Sequence, residues 1–203
     1  MTWNDDDGDD YDDIPASGRD WRRPRGVFVV APIGGAAGER IAALQARYDR
    51  KLARTGTPHV TLVGSSGAGP IAPGTSAAEL RAAIEPVTRA TPPLELNFGA
   101  PERFLQTNIV SLPLDPHGPI RTLFEAIRSS GLSFLPVRFS FTPHATISFY
   151  PTLTRERERE LLALRVNEPV IIDRLQLSLT DDPQPPRHIM ELPLGGVPGT
   201  GID

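Results

Sequence analysis

A five-residue phrase, Thr-Pro-His-x-Thr, occurs twice in this chain of 203 residues and limits its fold more than any other feature. The two copies occupy residues 57–61 and 142–146. Each runs into apolar, β-prone residues, and a proline fits the first position of a strand, where no ladder N–H is needed. Because alternate side chains of a strand share a face, His59 and Thr61 are predicted to point the same way, as are His144 and Thr146.

The surroundings of the phrase repeat as well. A strand predicted at 27–33 and a helix at 39–54 precede the first copy, and a strand at 108–114 and a helix at 119–130 precede the second. Internal self-similarity of this kind indicates a duplicated unit. The sequence therefore predicts two similar lobes that face each other across a cleft, each contributing one histidine and one threonine.

The remaining elements are predicted from periodicity and from start signals. Ser76 and Glu79 form a capping box that opens a helix, which Pro86 is expected to limit or kink. Thr154 is the predicted N-cap of a charged helix at 155–165. Further strands are predicted at 94–98, 103–106, 170–179 and 188–194.

Composition divides the chain into three parts. Residues 1–25 hold eight aspartates and four arginines and are predicted to be a disordered acidic tail. The domain is expected at 26–195, followed by a flexible C-terminus at 196–203. Outside the acidic tail, 17 of the 21 basic and 17 of the 25 acidic residues remain, and this balance argues against broad coating of nucleic acid. It leaves recognition of a single phosphate or a nucleotide end open.

Other classes of protein are excluded by what the chain lacks. It has no cysteine, which rules out disulfides and thiolate metal sites. No apolar run approaches the ~20 residues of a membrane span, and the acidic N-terminus is unlike a secretory signal. A cytoplasmic location is the resulting prediction. The zinc-protease spacings of histidine and glutamate are absent, and we expect neither a metal nor a cofactor.

Two histidines and two hydroxyls on facing strands suit phosphate chemistry. Imidazole titrates near neutrality, so one neutral and one protonated ring can act as general base and general acid on opposite sides of a reacting centre. Two threonine hydroxyls can bind the non-bridging oxygens of a phosphate held between them. A 2′,3′-cyclic phosphate fits this apparatus, with one histidine deprotonating water and the other protonating the departing ribose oxygen.

Two H-x-T motifs in a duplicated α/β unit, both preceded by Thr-Pro, resemble the 2H phosphoesterase superfamily. The branch most similar is that of the bacterial 2′-5′ RNA ligase-like proteins, also described as RNA 2′,3′-cyclic phosphodiesterases. The resemblance covers about residues 26–194. It implies an α+β fold, bilobal and duplicated, with two antiparallel sheets, helices outside and a central cleft. It also implies metal-independent action on cyclic phosphates or 2′-5′ linkages, with His59 and His144 catalytic and Thr61 and Thr146 binding the phosphate.

Close bacterial relatives often carry a basic residue shortly after the second motif, whereas this chain has Ile-Ser-Phe-Tyr at 147–150. Arg103 and Arg138 are candidates for the positive charge, with an ordinary surface role as the alternative for each. Tyr150 and Phe104 are candidates for stacking on a base, with core packing as the alternative.

Three functions share this candidate site. The first is a phosphodiesterase that opens 2′,3′-cyclic phosphates of nucleotides or RNA ends. The second is reversible 2′-5′ RNA ligation, which differs from the first in direction. The third is a non-catalytic module that binds a nucleotide or an RNA end. The expected partner is a nucleotide or an RNA terminus with a cyclic phosphate or a 2′-5′ linkage, no membrane is involved, and the protein is expected to be a monomer.

Overall fold

The computed structural model describes residues 25–105, 107–137, 139–149, 153–181 and 184–195. The predicted acidic tail, apart from Arg25, and the predicted flexible C-terminus lie outside these residues. In chain order the elements are β1 (Gly26–Pro32), α1 (Gly35–Tyr48), α2 (Arg50–Ala53), β2 (His59–Val63), α3 (Ala77–Ala90), β3 (Leu94–Leu96), β4 (Glu102–Arg103), β5 (Val110–Pro113), α4 (Pro119–Arg128), β6 (His144–Ser148), α5 (Arg155–Ala163), β7 (Val170–Ile172), β8 (Arg174–Asp181) and β9 (Gln184–Pro193).

Antiparallel pairing organises these strands into a large sheet and a small one. The large sheet has seven strands in the order β4-β5-β6-β2-β1-β8-β9, and the small sheet pairs β3 with β7. The α+β fold class with two antiparallel sheets is confirmed. The two phrase-bearing strands, β2 and β6, are neighbours in the middle of the large sheet, where one half of the duplication meets the other.

The duplication is visible in the strand registers. In the first half, β1 pairs with β2 so that Pro32 lies opposite His59. In the second half, β5 pairs with β6 so that Pro113 lies opposite His144. One residue further along each first strand, a backbone N–H donates to the carbonyl of the phrase proline, from Ile33 to Pro58 and from Leu114 to Pro143, at 2.9 Å in both halves. The repeated sequence therefore produces the same backbone geometry twice.

A register shift follows the threonine in both halves. It lies between Val29 and Val30 where β1 pairs with β2, and between Val110 and Ser111 where β5 pairs with β6. Burial confirms the interruption, because two consecutive buried residues follow the threonine in each strand instead of an alternation. A bulge of this kind bends a strand and increases its twist. The H-x-T segment therefore ends at an equivalent irregularity in both strands.

One hydrophobic core lies against the large sheet. The strands contribute alternate residues such as Val60 and Ala145, and the helices contribute Ile41, Leu80 and Leu161, all of which are fully buried. Helix α1 contacts β6 and β7, α3 contacts β9 and α4, and α5 contacts β5. This packing buries one set of side chains on β2 and β6 and leaves the alternate set, which contains the histidines, more accessible.

Two predicted helices differ in detail from the structure. The helix expected at 39–54 is two helices, because the backbone leaves helical geometry at Asp49, whose carboxylate then caps α2 by accepting from the Leu52 N–H at 2.9 Å. Helix α3 continues through Pro86 to Ala90. Its capping box is present as predicted, and Thr154 caps α5 by accepting from the Arg157 N–H.

No helix among the described residues combines the length and apolarity needed to cross a membrane.

Loss of the Ser76 cap should lower the stability of the fold without changing the sheet. The Ser76 hydroxyl accepts from the Glu79 N–H, and the Glu79 carboxylate accepts from the Ser76 N–H at 2.8 Å. We expect Ser76→Ala to reduce the free energy of unfolding by about 1 kcal/mol in urea denaturation. The exposed Ser129 follows the end of α4, and Ser129→Ala should change it by less than about 0.5 kcal/mol. Equal losses in the two variants would contradict this account.

Candidate active site

Both H-x-T segments lie on the accessible side of the large sheet. His59 is exposed, and Thr61, His144 and Thr146 are half-buried. The intervening residues, Val60 and Ala145, are fully buried on the opposite side. This alternation agrees with the faces predicted from the sequence.

The pairing of β2 with β6 brings the two segments together. Val60 lies opposite Ala145 in an antiparallel pair. An antiparallel register with this pair sets His59 across from Thr146 and Thr61 across from His144. Directly opposite side chains have Cβ atoms about 4.5–5.5 Å apart, and diagonal neighbours, such as the two histidines, about 7–8 Å. The four side chains thus form a compact rectangle with the histidines at opposite corners.

Each imidazole is oriented by a hydrogen bond within its own phrase. Nδ1 of His59 donates to the Thr57 carbonyl at 2.8 Å, and Nδ1 of His144 donates to the Thr142 carbonyl at 2.7 Å. A carbonyl only accepts, so the hydrogen is on Nδ1 in the neutral ring and the lone pair is on Nε2. The threonine that precedes each proline therefore helps to orient the histidine through its backbone, and Nε2 is the atom suited to proton transfer in both rings.

The surroundings of the two histidines differ although their phrases match. The Phe104 ring, which follows β4, meets His144 edge-to-face with ring centroids 4.9 Å apart. Burial lowers the pKa of His144, because a charged imidazolium loses hydration there, and this effect exceeds the opposing effects of the Thr142 carbonyl and the Glu102 carboxylate. His59, by contrast, is exposed to solvent. Burial thus favours the neutral form of His144.

The residues facing the two threonines differ as well. Val30 lies opposite Thr61, whereas Ser111 lies opposite Thr146. The Ser111 side chain is fully buried, and its hydroxyl makes no hydrogen bond to the part of the chain that the structure describes. The cross-strand neighbour of Thr146 on β5 is therefore polar, whereas that of Thr61 on β1 is apolar.

Of the four other residues predicted to contact the substrate, the structure describes Arg103 and Phe104. The Arg103 guanidinium donates from Nη1 to Glu158 on α5 at 2.9 Å and from Nε to the Thr107 carbonyl at 2.6 Å, so two of its three nitrogens are already engaged. Phe104 lies beside His144, and its stacking on a base stays a prediction. Arg138 and Tyr150 lie outside the described residues.

Sequence reasoning missed three residues near these strands. Gln45 donates to the Thr146 carbonyl at 2.8 Å, and Asp49 accepts from the Phe149 N–H at 2.8 Å. Glu102 acts on His144 through its charge. Gln45 and Asp49 lie four residues apart on the apolar side of the helix predicted at 39–54. Two polar residues at such positions were the available signal that this side makes polar contacts. Nothing in the sequence linked Glu102 to His144. Within the described ranges, no three histidine or acidic side chains form a group that could hold a metal ion.

Comparison with known proteins agrees with this geometry. Residues 34–184 match the sequence profile of the 2′-5′ RNA ligase superfamily, which is more than half of the chain. The chain belongs to the 2′-5′ RNA ligase superfamily. The resemblance to 2H phosphoesterases inferred from the two phrases is thereby confirmed, and membership supports an enzyme that acts on phosphodiester bonds. No curated protein sequence matches this superfamily member at a significant level.

Solved structures share the fold of this superfamily member. TT0787 of Thermus thermophilus matches 85% of this chain and 99% of its own, with a TM-score of 0.57 and 12% identity. E. coli LigT complexed with ATP matches 86% of this chain and 99% of its own, with a TM-score of 0.54 and 16% identity. LigT complexed with 3′-AMP gives a TM-score of 0.53 at 15% identity, covering 85% of this chain and 99% of its own. At such low sequence identities the structural likeness establishes the fold alone.

Two substitutions beside His144 should move its pKa in opposite directions. Phe104→Ala removes the ring that helps to bury the imidazole, so the pKa should rise. Glu102→Gln removes a charge that favours the imidazolium, so the pKa should fall. NMR titration of the His144 ring protons measures both. Leu105 is 93% exposed, and Leu105→Ala is the control expected to leave the titration unchanged. Shifts of one sign in both variants would refute the explanation of the lowered pKa.

Proposed function

We propose that this protein is a phosphodiesterase that opens 2′,3′-cyclic phosphates of nucleotides or RNA ends, without a metal, through His59 and His144. The observation that carries the proposal is the pairing of Val60 with Ala145, which brings both H-x-T segments to one accessible face. Superfamily membership supports chemistry on phosphodiester bonds. Neither observation depends on the other, and together they support the proposal.

In the proposed mechanism His144 is the general base. Its Nε2 carries the lone pair in the neutral ring, and burial favours that neutral form. It accepts a proton from water, whose oxygen attacks the phosphorus. His59 is then the general acid and donates a proton from Nε2 to the ribose oxygen as the P–O bond breaks. The reaction consumes one water and gives a phosphomonoester, and the two histidines exchange their protonation states.

The threonines are proposed to bind the phosphate between these rings. Thr61 lies across from His144, and Thr146 lies across from His59, so each hydroxyl is adjacent to both imidazoles. Hydroxyl donors at the non-bridging oxygens stabilise charge that builds up in the transition state. Attack and departure in line require groups on opposite sides of the phosphorus, and the diagonal arrangement of the histidines meets this requirement.

The proposed partner is a nucleotide or an RNA terminus. Structures of E. coli LigT exist as complexes with 3′-AMP and with ATP. We propose that this chain binds nucleotides as well. A 2′-5′ linkage is the alternative substrate of the same site. A cytoplasmic location and a monomeric state stay predictions.

Replacement of either histidine should abolish most of the activity. His59→Ala and His144→Ala should each lower the turnover of 2′,3′-cyclic nucleotides by about 10²–10⁴-fold, because each removes one proton-transfer group. Product analysis by HPLC, with the protein treated with a chelator, measures the rate and identifies the ribose oxygen that leaves. The exposed His117 lies outside the H-x-T segments, and His117→Ala should retain full activity.

The same variants, assayed for turnover, nucleotide binding and RNA joining, separate the alternatives. Hydrolysis that survives chelation and collapses in both histidine variants supports the proposal. Nucleotide binding that survives loss of both histidines, with no turnover by the unmodified protein, favours a non-catalytic module. Joining of RNA ends through a 2′-5′ linkage under the same conditions favours the ligase direction. Activity that is lost on chelation and restored by a divalent cation would overturn the metal-independent mechanism.

A further inference from the structure

We propose that Gln45 and Asp49 are positioning residues that hold the β6 strand, and with it Thr146, in register with β2. This inference rests on the proposed function of Thr146 as a phosphate ligand. It arises from an imbalance in the sheet. Among the described residues, β1 and β2 share four registered residue pairs and β5 and β6 share four, whereas β2 and β6 share the single pair Val60 and Ala145.

Side chains of α1 and of the residue that follows it supply hydrogen bonds to β6 beyond this pair. The Gln45 amide donates to the Thr146 carbonyl at 2.8 Å. The Asp49 carboxylate accepts from the Phe149 N–H at 2.8 Å. These residues are 101 and 100 positions from their partners in sequence. They therefore connect the first half of the duplication to both ends of the segment Thr146–Phe149 in the second half.

Both side chains are buried, with Gln45 6% and Asp49 3% exposed. A buried amide or carboxylate is costly unless it is hydrogen-bonded, so the two contacts are specific rather than incidental. Asp49 uses both of its oxygens, since Oδ1 accepts from the Leu52 N–H and Oδ2 accepts from the Phe149 N–H. The break between α1 and α2 and the end of β6 thus depend on one carboxylate.

The contacts of Gln45 and Asp49 with β6 together form a clamp on that strand. In the described part of the second half, the buried face of α4 offers no equivalent clamp on β2. That face is made of four apolar residues, Ile120, Leu123, Phe124 and Ile127. The clamp is therefore a feature of one half, and it acts on the strand that carries His144 and Thr146. We infer that it fixes the position of the Thr146 hydroxyl relative to His59 across the β2–β6 junction.

A double-mutant cycle on inorganic phosphate affinity tests this role. Gln45→Leu keeps the bulk of the side chain and removes its donor. We expect it to weaken phosphate binding about fivefold in the unmodified protein and less than about twofold in a Thr146→Val background, because the two residues act through one contact. Calorimetric titration measures the affinity, and thermal unfolding of each variant is recorded separately. A structural role alone would lower the melting temperature and leave the phosphate affinity unchanged.

Asp49→Ala provides a second measurement that does not depend on turnover. Alanine has no side-chain acceptor, so both the α2 cap and the Phe149 contact are lost. We expect faster hydrogen exchange at the Phe149 amide and weaker phosphate binding. The control is Glu160→Gln. Glu160 lies on α5 and accepts from the Tyr48 hydroxyl of α1 at 2.9 Å, so this hydrogen bond joins α1 to α5 and does not involve β6. That variant should retain both the exchange rate and the affinity.

The outcomes distinguish this inference from the proposed function. If Thr146→Val weakens phosphate binding but the unmodified protein shows no turnover, the proposed hydrolase activity is wrong. The double-mutant cycle then still decides whether the clamp exists. Equal losses from Gln45→Leu in both backgrounds, or unchanged exchange at the Phe149 amide in Asp49→Ala, would overturn the clamp. Phosphate affinity that does not respond to Thr146→Val would overturn the clamp and the proposed role of Thr146, whereas turnover that depends on His59 and His144 would still support the hydrolase.

Discussion

The junction between β2 and β6 is the interaction on which the candidate site depends. Each strand is held firmly within its own half of the duplication, where four residue pairs join it to its neighbour. The two halves meet at Val60 and Ala145, both fully buried small or β-branched residues that allow close approach of the strands. Burial of these two residues turns the histidines and threonines beside them toward the accessible face. A shift of one residue at this junction would reverse those faces and dismantle the site.

Duplication has given two equal backbones with unequal surroundings. The proline pairing, the hydrogen bond from Nδ1 to the phrase threonine and the bulge after the H-x-T segment recur in both halves. Neighbours contributed by other elements differ between the halves: Phe104 and Glu102 act on His144, and Gln45 donates to the second strand of the pair. In the mechanism we propose, these unequal neighbours assign the role of base to His144 and the role of acid to His59.

Local patterns in the sequence predicted the parts of the structure that local chemistry controls. The H-x-T strands, the capping box at Ser76 and the cap at Thr154 each follow from a few adjacent residues, and all are present. The contacts of Gln45 and Glu102 join residues distant in sequence, so no short pattern reveals them. The break at Asp49 was missed because the apolar period continues past it to Leu52, while the carboxylate that caps α2 also accepts from Phe149, far along the chain.

The position of a bound phosphate tests the central claim most directly. A crystal structure of the protein with inorganic phosphate should show the phosphorus between His59 and His144, with Nε2 of each ring and the hydroxyls of Thr61 and Thr146 within hydrogen-bond distance of its oxygens. That result would tie the duplicated phrase to phosphate chemistry without assuming any substrate. Phosphate bound elsewhere on the sheet, or contacting only one of the two H-x-T segments, would contradict the account.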